Sequence, residues 1–191
     1  MVIEEDKLKK LQKTLSYYFY SLDLLEQALT HSSFANEVDK NLNNNERLEF
    51  LGDAVLDCLV TEKLYNKYPE SPEGQLSKMK SLLVSRKIIG LVGKNISLAN
   101  YIKVGKSEKK SNTAMRSSIT SNAFEAVLGA VYLDGGLESA EKVLEKNLYP
   151  DIDDYIKNEE HINYKSKILE LVQRDGLGPP EYKLIKEMGP E

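Results

Sequence analysis

Apolar residues recur at the three- and four-residue spacing of α-helices along most of the chain. The longest such segment, NERLEFLGDAVLDCLVTEKLYNKY, ends before Pro69. Helices are also predicted for LDLLEQALTHSSF, with Ser21 as candidate N-cap, and for QLSKMKSLLVSRKIIGLVGKNI after a proline-rich loop. NAFEAVLGAVYLDGG, stopped by Gly135 and Gly136, and LESAEKVLEKNLYPDIDDYI complete the series, whereas residues 100–121 predict a loop leading into a helix. The pattern therefore predicts a mainly helical domain.

The character of the sequence changes near residue 153. DDYIKNEEHIN is charged and poor in aliphatic residues, which predicts a linker over residues 153–162. Residues 163–191 then predict one short helix, a Gly/Pro loop and a strand, the last from the alternation in EYKLIKE. Because one helix and one strand cannot close a core, we expect the chain to stop partway through a second domain.

Three carboxylates share one stripe of the longest predicted helix. At 100° per residue, with Glu46 at zero, Glu49 lies at about 300° and Asp53 at about 340°. The apolar residues lie opposite, between about 140° and 220°: Leu48, Leu51, Val55 and Leu59. Like charges at this spacing repel, so the stripe is either a solvated acidic face or a site that binds cations.

Two residues of the same segment favour a site over a solvated face. Phe50 lies near 40° on the same wheel, beside the acids and away from the apolar stripe. Gly52 lies mid-helix, where it costs about 1 kcal/mol relative to Ala, so it predicts close approach of another backbone. Together they indicate a site next to an interface.

The composition limits the class of protein. The chain has 191 residues and a net charge of −4, which suits one domain plus a fragment or two small domains. It carries no apolar run of membrane-spanning length and no signal-peptide pattern. The single Cys58 excludes an internal disulfide, is predicted to be a small buried hydrophobe, and favours a reducing cytoplasm. The acidic balance argues against non-specific nucleic-acid binding but allows a local basic patch.

Candidate chemistry outside this helix also rests on carboxylates. Glu73 begins a helix, where an acid usually complements the helix dipole, and Asn122 and Glu125 share one helical face. His31 is predicted to be structural, and only His161 accompanies it, so a histidine metal site is not expected. Oxygen ligands suit Mg²⁺ or Mn²⁺, which activate water and stabilise the leaving oxygen in phosphodiester hydrolysis.

The segment NNERLEFLGDAVLD resembles the signature of the bacterial ribonuclease III family, endonucleases that cleave double-stranded RNA. QALTHSSFANE, EGQLSKMKSLLVS and NAFEAVLGAVYLDGG accompany it in the family's order. The segment NYKSKILELVQRDGLGPPEYKLI resembles the opening of an α-β-β-β-α double-stranded-RNA-binding domain. The resemblance implies an all-α nuclease domain over residues 1–152, the linker over residues 153–162, and a partial α/β RNA-binding domain over residues 163–191.

The resemblance also implies the functional residues and partners. The metal-binding and catalytic acids of the family match Glu49, Asp53 and Glu125, with Asp53 and Glu125 catalytic. Glu46 and Glu73 match acids that shape the cleft and assist substrate or metal engagement. The implied assembly is a cytoplasmic homodimer without membrane attachment, in which Phe50 reaches into a socket on the partner. It would use Mg²⁺, with Mn²⁺ as substitute, to cut rRNA and other precursors to 5′-phosphate ends and short 3′ overhangs.

One metal-site position departs from the family pattern. The family motif reads like ADAFEA, whereas this chain reads SNAFEA, with Asn122 where a metal-site aspartate is expected. An amide oxygen can ligate a hard cation but brings no negative charge, so we expect RNA binding with poor cleavage. Asn122 is either a natural variant or a deliberate substitution.

Ser166, Glu170 and Gln173 share one face of the C-terminal helix and match family positions that meet the minor groove of duplex RNA. Two alternatives to the nuclease stay open. One is a non-cleaving double-stranded-RNA-binding protein on the same scaffold, which Asn122 favours. The other is a structural helical dimer that has lost the site, against which the retained acids argue.

Overall fold

The computed structural model describes residues 5–39, 41–106, 108, 113–158 and 164–183. The α-helices are α1 (Glu5–Leu15), α2 (Leu22–Ala28), α3 (Ser32–Val38), α4 (Glu46–Lys67), α5 (Glu73–Leu83), α6 (Arg86–Asn95), α7 (Thr113–Asn147), α8 (Ile152–Lys157) and α9 (Tyr164–Arg174). The described residues form no β-sheet, and one isolated bridge joins Thr30 to Lys103. The chain divides into two compact units, residues 1–157 and 158–191. The predicted helical fold is therefore confirmed for the larger unit.

The core of the first unit is built around α4 and α7. The apolar stripe predicted for α4 faces the core: Leu48, Val55 and Leu59 are at most 6% exposed, and Leu51 is partly buried. Phe124 and Val127 of α7 are fully buried in the same hydrophobic cluster. The burial of these side chains, each contributing about 1.5–3 kcal/mol, holds the two helices together.

The backbones of α4 and α7 touch where two glycines cross. A Cβ atom on Gly52 would overlap the carbonyl oxygen of Glu125 and lie 2.9 Å from the nitrogen of Gly129. A Cβ atom on Gly129 would overlap the carbonyl oxygen of Leu48 and lie 3.0 Å from the nitrogen of Gly52. The close approach predicted from the mid-helix Gly52 is confirmed, since no larger residue fits at this crossing.

Helix α6 approaches α7 in a similar way. A Cβ atom on Gly90 would lie 2.6 Å from the hydroxyl of Ser117, and one on Gly93 would lie 3.3 Å from the carbonyl oxygen of Thr120. This packing places the first residue of α6, Arg86, at the same end of α7 as Asn122.

The N-terminus of α2 is capped from a distance. The side chain of Ser21 forms no capping hydrogen bond. Asp134 near the bend of α7 accepts hydrogen bonds from the backbone N–H groups of Tyr20 (2.7 Å) and Ser21 (3.0 Å) and from the Tyr17 hydroxyl (2.7 Å). Ser21 is the N-cap residue, as predicted, but the Leu24 N–H group bonds its backbone oxygen at 3.3 Å and not its hydroxyl. The carboxylate of Asp134 binds the N–H groups just before the helix and adds a favourable charge at its N-terminus.

Several helix boundaries differ from the prediction. The segment after the proline-rich loop forms two helices, because the chain is extended at Ser85, whose hydroxyl accepts the Ile88 N–H at 3.4 Å. Helix α7 begins at Thr113, inside the predicted loop, and its backbone leaves the helical region at Gly136 (φ 77°). Helix α8 occupies the first part of the predicted linker, and the domain boundaries stay a prediction.

The interpretation of Cys58 is wrong and that of His31 is confirmed. Cys58 is exposed, because at about 120° on the α4 wheel it lies just outside the apolar stripe. His31 is the N-cap of α3, and its Nδ1 atom accepts a hydrogen bond from the Ser33 N–H at 3.2 Å. His161 lies outside the described residues.

The second unit, taken by itself, has α9 as its regular element. Its apolar side chains are open to solvent: Ile168 is 43% and Leu171 is 42% exposed. The helix ends with Gly176 at φ 67°, a left-handed conformation that favours glycine. Residues 181–183 are not in a strand, and the rest of the predicted strand lies outside the described residues.

Replacing Gly52 with Ala should destabilise the fold by about 1–3 kcal/mol, because the new methyl group must push α4 away from α7. The matched control is Gly74→Ala in the first turn of α5, where no atom lies within 4 Å of a Cβ atom. The control should be neutral or stabilising by up to about 1 kcal/mol. Urea unfolding followed by circular dichroism gives both free energies of unfolding. Equal stability of the two variants would contradict the proposed tightness of the crossing.

Candidate active site

A pocket of about 450 Å³ opens beside the crossing of α4 and α7. Its walls come from α4, from α7 and from the junction of α5 and α6; the lining residues are Glu46, Glu49, Phe50, Asp53, Val84, Arg86, Asn122 and Glu125. The pocket therefore collects the acidic stripe of α4 and the predicted pair of α7.

The glycine crossing explains why residues from two helices meet here. Gly52 lies between Glu49 and Asp53 on α4, and Gly129 follows Glu125 by one helical turn on α7. Because the backbones touch at the glycines, the carboxylates on either side of the contact face a shared space. Glu125 and Glu49 are half-buried, whereas Asp53 is exposed.

The pocket carries excess negative charge. Burial, together with the nearby carboxylates of Asp53 and Glu49, raises the pKa of Glu125 to about 7, and the guanidinium of Arg86 opposes this shift. Burial also raises the pKa of Glu49, with Glu46 and Asp53 adding to the effect. The charges are coupled, since each carboxylate makes ionisation of its neighbour less favourable.

Asn122 holds Glu49 by hydrogen bonding. Its side chain makes a hydrogen bond to the Glu49 carboxylate, and this bond lowers the pKa of Glu49. The amide oxygen of Asn122 accepts from the buried Ser121 hydroxyl at 3.4 Å. Since a carboxylate only accepts, the amide N–H group of Asn122 is the donor to Glu49. An aspartate at this position would repel Glu49.

The donor chemistry fits a hard divalent cation held partly by water. All the polar groups that face the pocket, apart from Arg86, offer oxygen ligands. Within the described residues, no group of three His, Cys, Asp or Glu side chains is placed so that it could hold a metal ion by itself. Mg²⁺ binds through one or two carboxylates with water and substrate phosphate, so the open arrangement suits it.

The other predicted residues lie at the rim of the pocket or away from it. Glu73 is exposed on α5, and its carboxylate accepts a hydrogen bond from the Ser77 hydroxyl at 2.6 Å. Phe50 lines the rim with 83% of its surface exposed. Gln173 is exposed in the second unit, and the side chains of Ser166 and Glu170 lie outside the described residues. The roles of these residues stay predictions.

Two lining residues were not predicted from the sequence, Val84 and the charged Arg86. Arg86 directly follows the family-like segment EGQLSKMKSLLVS, and nothing in its own spacing distinguishes it from other surface cations. Its position becomes evident only from the packing of α6 against α7. The signal that was available was its place at the first turn of a helix, where a cation is unfavourable.

Residues 21–152 match the family model described as Ribonuclease-III-like. The chain is 43% identical over 182 residues to Ribonuclease 3 of Enterococcus faecalis, covering 95% of this chain and 79% of the relative. It is 41% identical over 183 residues to Ribonuclease 3 of Clostridium tetani, covering 96% of this chain and 77% of the relative.

A solved structure of the nuclease domain of ribonuclease III from Campylobacter jejuni has the same fold. Its TM-score is 0.68 at 39% sequence identity, covering 75% of this chain and 96% of the other. The structure was described for flexibility in a region involved in dimer formation. In the described part of the present chain, none of the helices has the length and apolar character of a membrane span. The matched family model, the relatives and the shared fold establish that the chain belongs to the ribonuclease III family of endoribonucleases.

Proposed function

We propose that this endoribonuclease hydrolyses double-stranded RNA in the pocket between α4 and α7, with Mg²⁺ as its cofactor and Mn²⁺ as a substitute. The observation that carries the proposal is the cluster of Glu49, Asp53 and Glu125, in which burial and repulsion between the carboxylates raise the pKa of Glu125 to about 7. A divalent cation between these carboxylates relieves the repulsion. A pocket that gains stability from a cation is suited to bind one together with a phosphodiester.

Glu49 and Glu125 would hold the metal, with the amide oxygen of Asn122 as a further ligand. The metal supplies Lewis-acid polarisation of the phosphate and a nucleophilic water at neutral pH. Asp53 is exposed at the pocket, so its carboxylate can orient the attacking water and accept its proton. Glu125 holds a proton in part of the metal-free molecules and releases it when a cation binds. The products would be 5′-phosphate ends with short 3′ overhangs.

We further propose that the chain acts as a homodimer in the cytoplasm on rRNA and other precursor RNAs. An aromatic side chain as exposed as Phe50 beside a polar pocket is typical of an interface anchor. The Campylobacter jejuni relative is described with a region for dimer formation. In such a dimer Glu46 and Glu73 would shape the cleft. Ser166, Glu170 and Gln173 on α9 would contact the minor groove of the duplex.

Asn122 favours a second candidate function, binding of double-stranded RNA without efficient cleavage. The amide N–H group of Asn122 is engaged by Glu49, and its oxygen is engaged by Ser121. The amide oxygen keeps a lone pair for a cation, but it brings no negative charge to the site. The missing negative charge weakens attraction of the cation, so turnover is expected to be low.

Asn122→Asp should raise the single-turnover rate of duplex cleavage in Mg²⁺ by two or more orders of magnitude, about the effect of a misplaced or missing group in a metal site. The aspartate adds a charged oxygen ligand and frees Glu49 from its amide partner. Asn100→Asp is the matched control, because Asn100 is exposed and does not line the pocket. Equal rates for all three proteins would show that Asn122 is an adequate ligand and that cleavage is unimpaired.

Glu125→Gln should stabilise the metal-free protein at pH 8 and leave its stability nearly unchanged at pH 4. The pKa of Glu125 is raised from 4.5 to about 7 in the folded state. The stability that the neutral carboxyl contributes is therefore present below pH 4.5 and is lost as the pH rises through 7. Glutamine stays neutral throughout, so the difference between variant and parent grows with pH.

Thermal unfolding in EDTA at pH 4, 6 and 8 measures the effect of Glu125→Gln. Glu70→Gln serves as control, because Glu70 is exposed in a loop and does not line the pocket. Addition of Mg²⁺ at pH 8 should raise the Tm of the parent more than that of Glu125→Gln. A pH-independent difference between the two proteins would contradict the charge coupling in the pocket.

A further inference from the structure

We propose that Arg86 is a substrate-binding residue of the nuclease site, whose guanidinium binds a phosphodiester oxygen of the RNA duplex. The inference rests on the proposed function, since it requires that the pocket receives double-stranded RNA. It adds to that function a cationic contact that does not depend on the bound metal.

Arg86 lies beside the carboxylates of the pocket. It lines the same pocket as Glu49, Asp53 and Glu125 and reaches it from a third element, α6. Contact of Gly90 and Gly93 with α7 fixes α6 in place. The packing of α6 against α7 therefore fixes the backbone of Arg86 beside the acidic pocket, which its side chain lines.

Among the residues that the structure describes, Arg86 forms no ion pair with a carboxylate. It differs in this from cations such as Lys67, Lys80, Lys103, Lys142 and Arg174. The guanidinium acts on Glu49 and Glu125 by longer-range attraction, which lowers the pKa of both carboxyl groups. Its five N–H donors are thus available to a ligand.

The charge of Arg86 does not stabilise α6, which favours a role in binding a ligand. Arg86 is the first residue of α6, and the first turn of this helix contains no acidic residue. A cation at this end opposes the helix dipole. A neutral or acidic residue at this position would make α6 more stable. The position of the cation is therefore better explained by an interaction with a group outside the helix.

The substrate supplies the reason for a cation. Phosphate groups of an RNA duplex entering the pocket meet the carboxylates of Glu46, Glu49 and Asp53, which repel them. Guanidinium is planar, stays charged and matches two phosphate oxygens at once. One arginine at the mouth of the pocket offsets part of this repulsion and can set the register of the phosphodiester against the metal ligands.

The test measures RNA binding in Mg²⁺ over a range of salt concentrations, in a Glu125→Gln background that suppresses cleavage. Arg86→Gln, Arg86→Lys and Lys94→Gln are compared with this parent. Lys94 is exposed near the other end of α6 and does not line the pocket. Lys94→Gln thus removes the same charge from the same helix. Fluorescence anisotropy with a long labelled RNA duplex gives the Kd, and thermal unfolding checks that each variant is folded.

Arg86→Gln should weaken binding about tenfold and reduce the slope of log K against log salt by about one. Arg86→Lys should keep most of the salt dependence and recover part of the affinity. Lysine retains the positive charge but lacks the planar guanidinium that can bind two phosphate oxygens. Lys94→Gln should change neither quantity.

An unchanged salt slope in folded Arg86→Gln would overturn the inference and leave Arg86 as a counter-ion of the acidic cluster. Equal losses of RNA affinity in Arg86→Gln and Lys94→Gln would also overturn it. Both losses would then reflect only the general attraction of positive charge to the RNA duplex. If the Glu125→Gln parent itself bound no RNA duplex, the proposed function would fail and the inference with it.

Discussion

The contact between the backbones of α4 and α7 at Gly52 and Gly129 sets the geometry on which the site depends. Two helices that carry ordinary side chains at their contact lie 8–10 Å apart, as a rule of thumb, with side chains between them. Here the missing Cβ atoms bring the carbonyl oxygen of Glu125 against α4. Acids that lie one turn from each glycine then face each other across a narrow space, which neither helix could form alone.

The carboxylate cluster that gives the pocket its chemistry also lowers the stability of the metal-free fold. Burial and the neighbouring Asp53 and Glu49 disfavour the charged form of Glu125, so a metal-free pocket is electrostatically strained at neutral pH. The buried apolar residues of α4 and α7 supply the compensating free energy. The cluster is therefore tolerated because the core beneath it is extensive, and it is useful because a cation can relieve it.

Much of the fold and the outline of the site follow from sequence, because both depend on helical spacing. The wheel of α4 separates the acids from Leu48, Val55 and Leu59, which are buried as expected. Gly52 predicts a close helix contact because mid-helix glycine is costly. The identification of Glu125 as a partner of the α4 acids came from the resemblance to the family. The spacing of residues within one helix does not indicate which other helix packs against it.

Properties that depend on tertiary contacts escaped the sequence analysis. The capping of α2 by Asp134 joins residues that are 113 and 114 positions apart, and no local pattern announces it. Cys58 lies at the edge of a buried stripe, where a small rotation of the helix decides its exposure. Arg86 enters the pocket because glycines on α6 let that helix approach α7. The pairing of Asn122 with Glu49 follows from the separate contact between α4 and α7.

The separation of the two halves of the pocket along the chain has a consequence during synthesis. Helix α4 leaves the ribosome well before α7, and α5 and α6 are made between them. The carboxylates of α4 do not meet Glu125 until α7 has been made and its Gly129 packs against Gly52. The pocket that we propose as the active site is therefore complete only after α7 has been made.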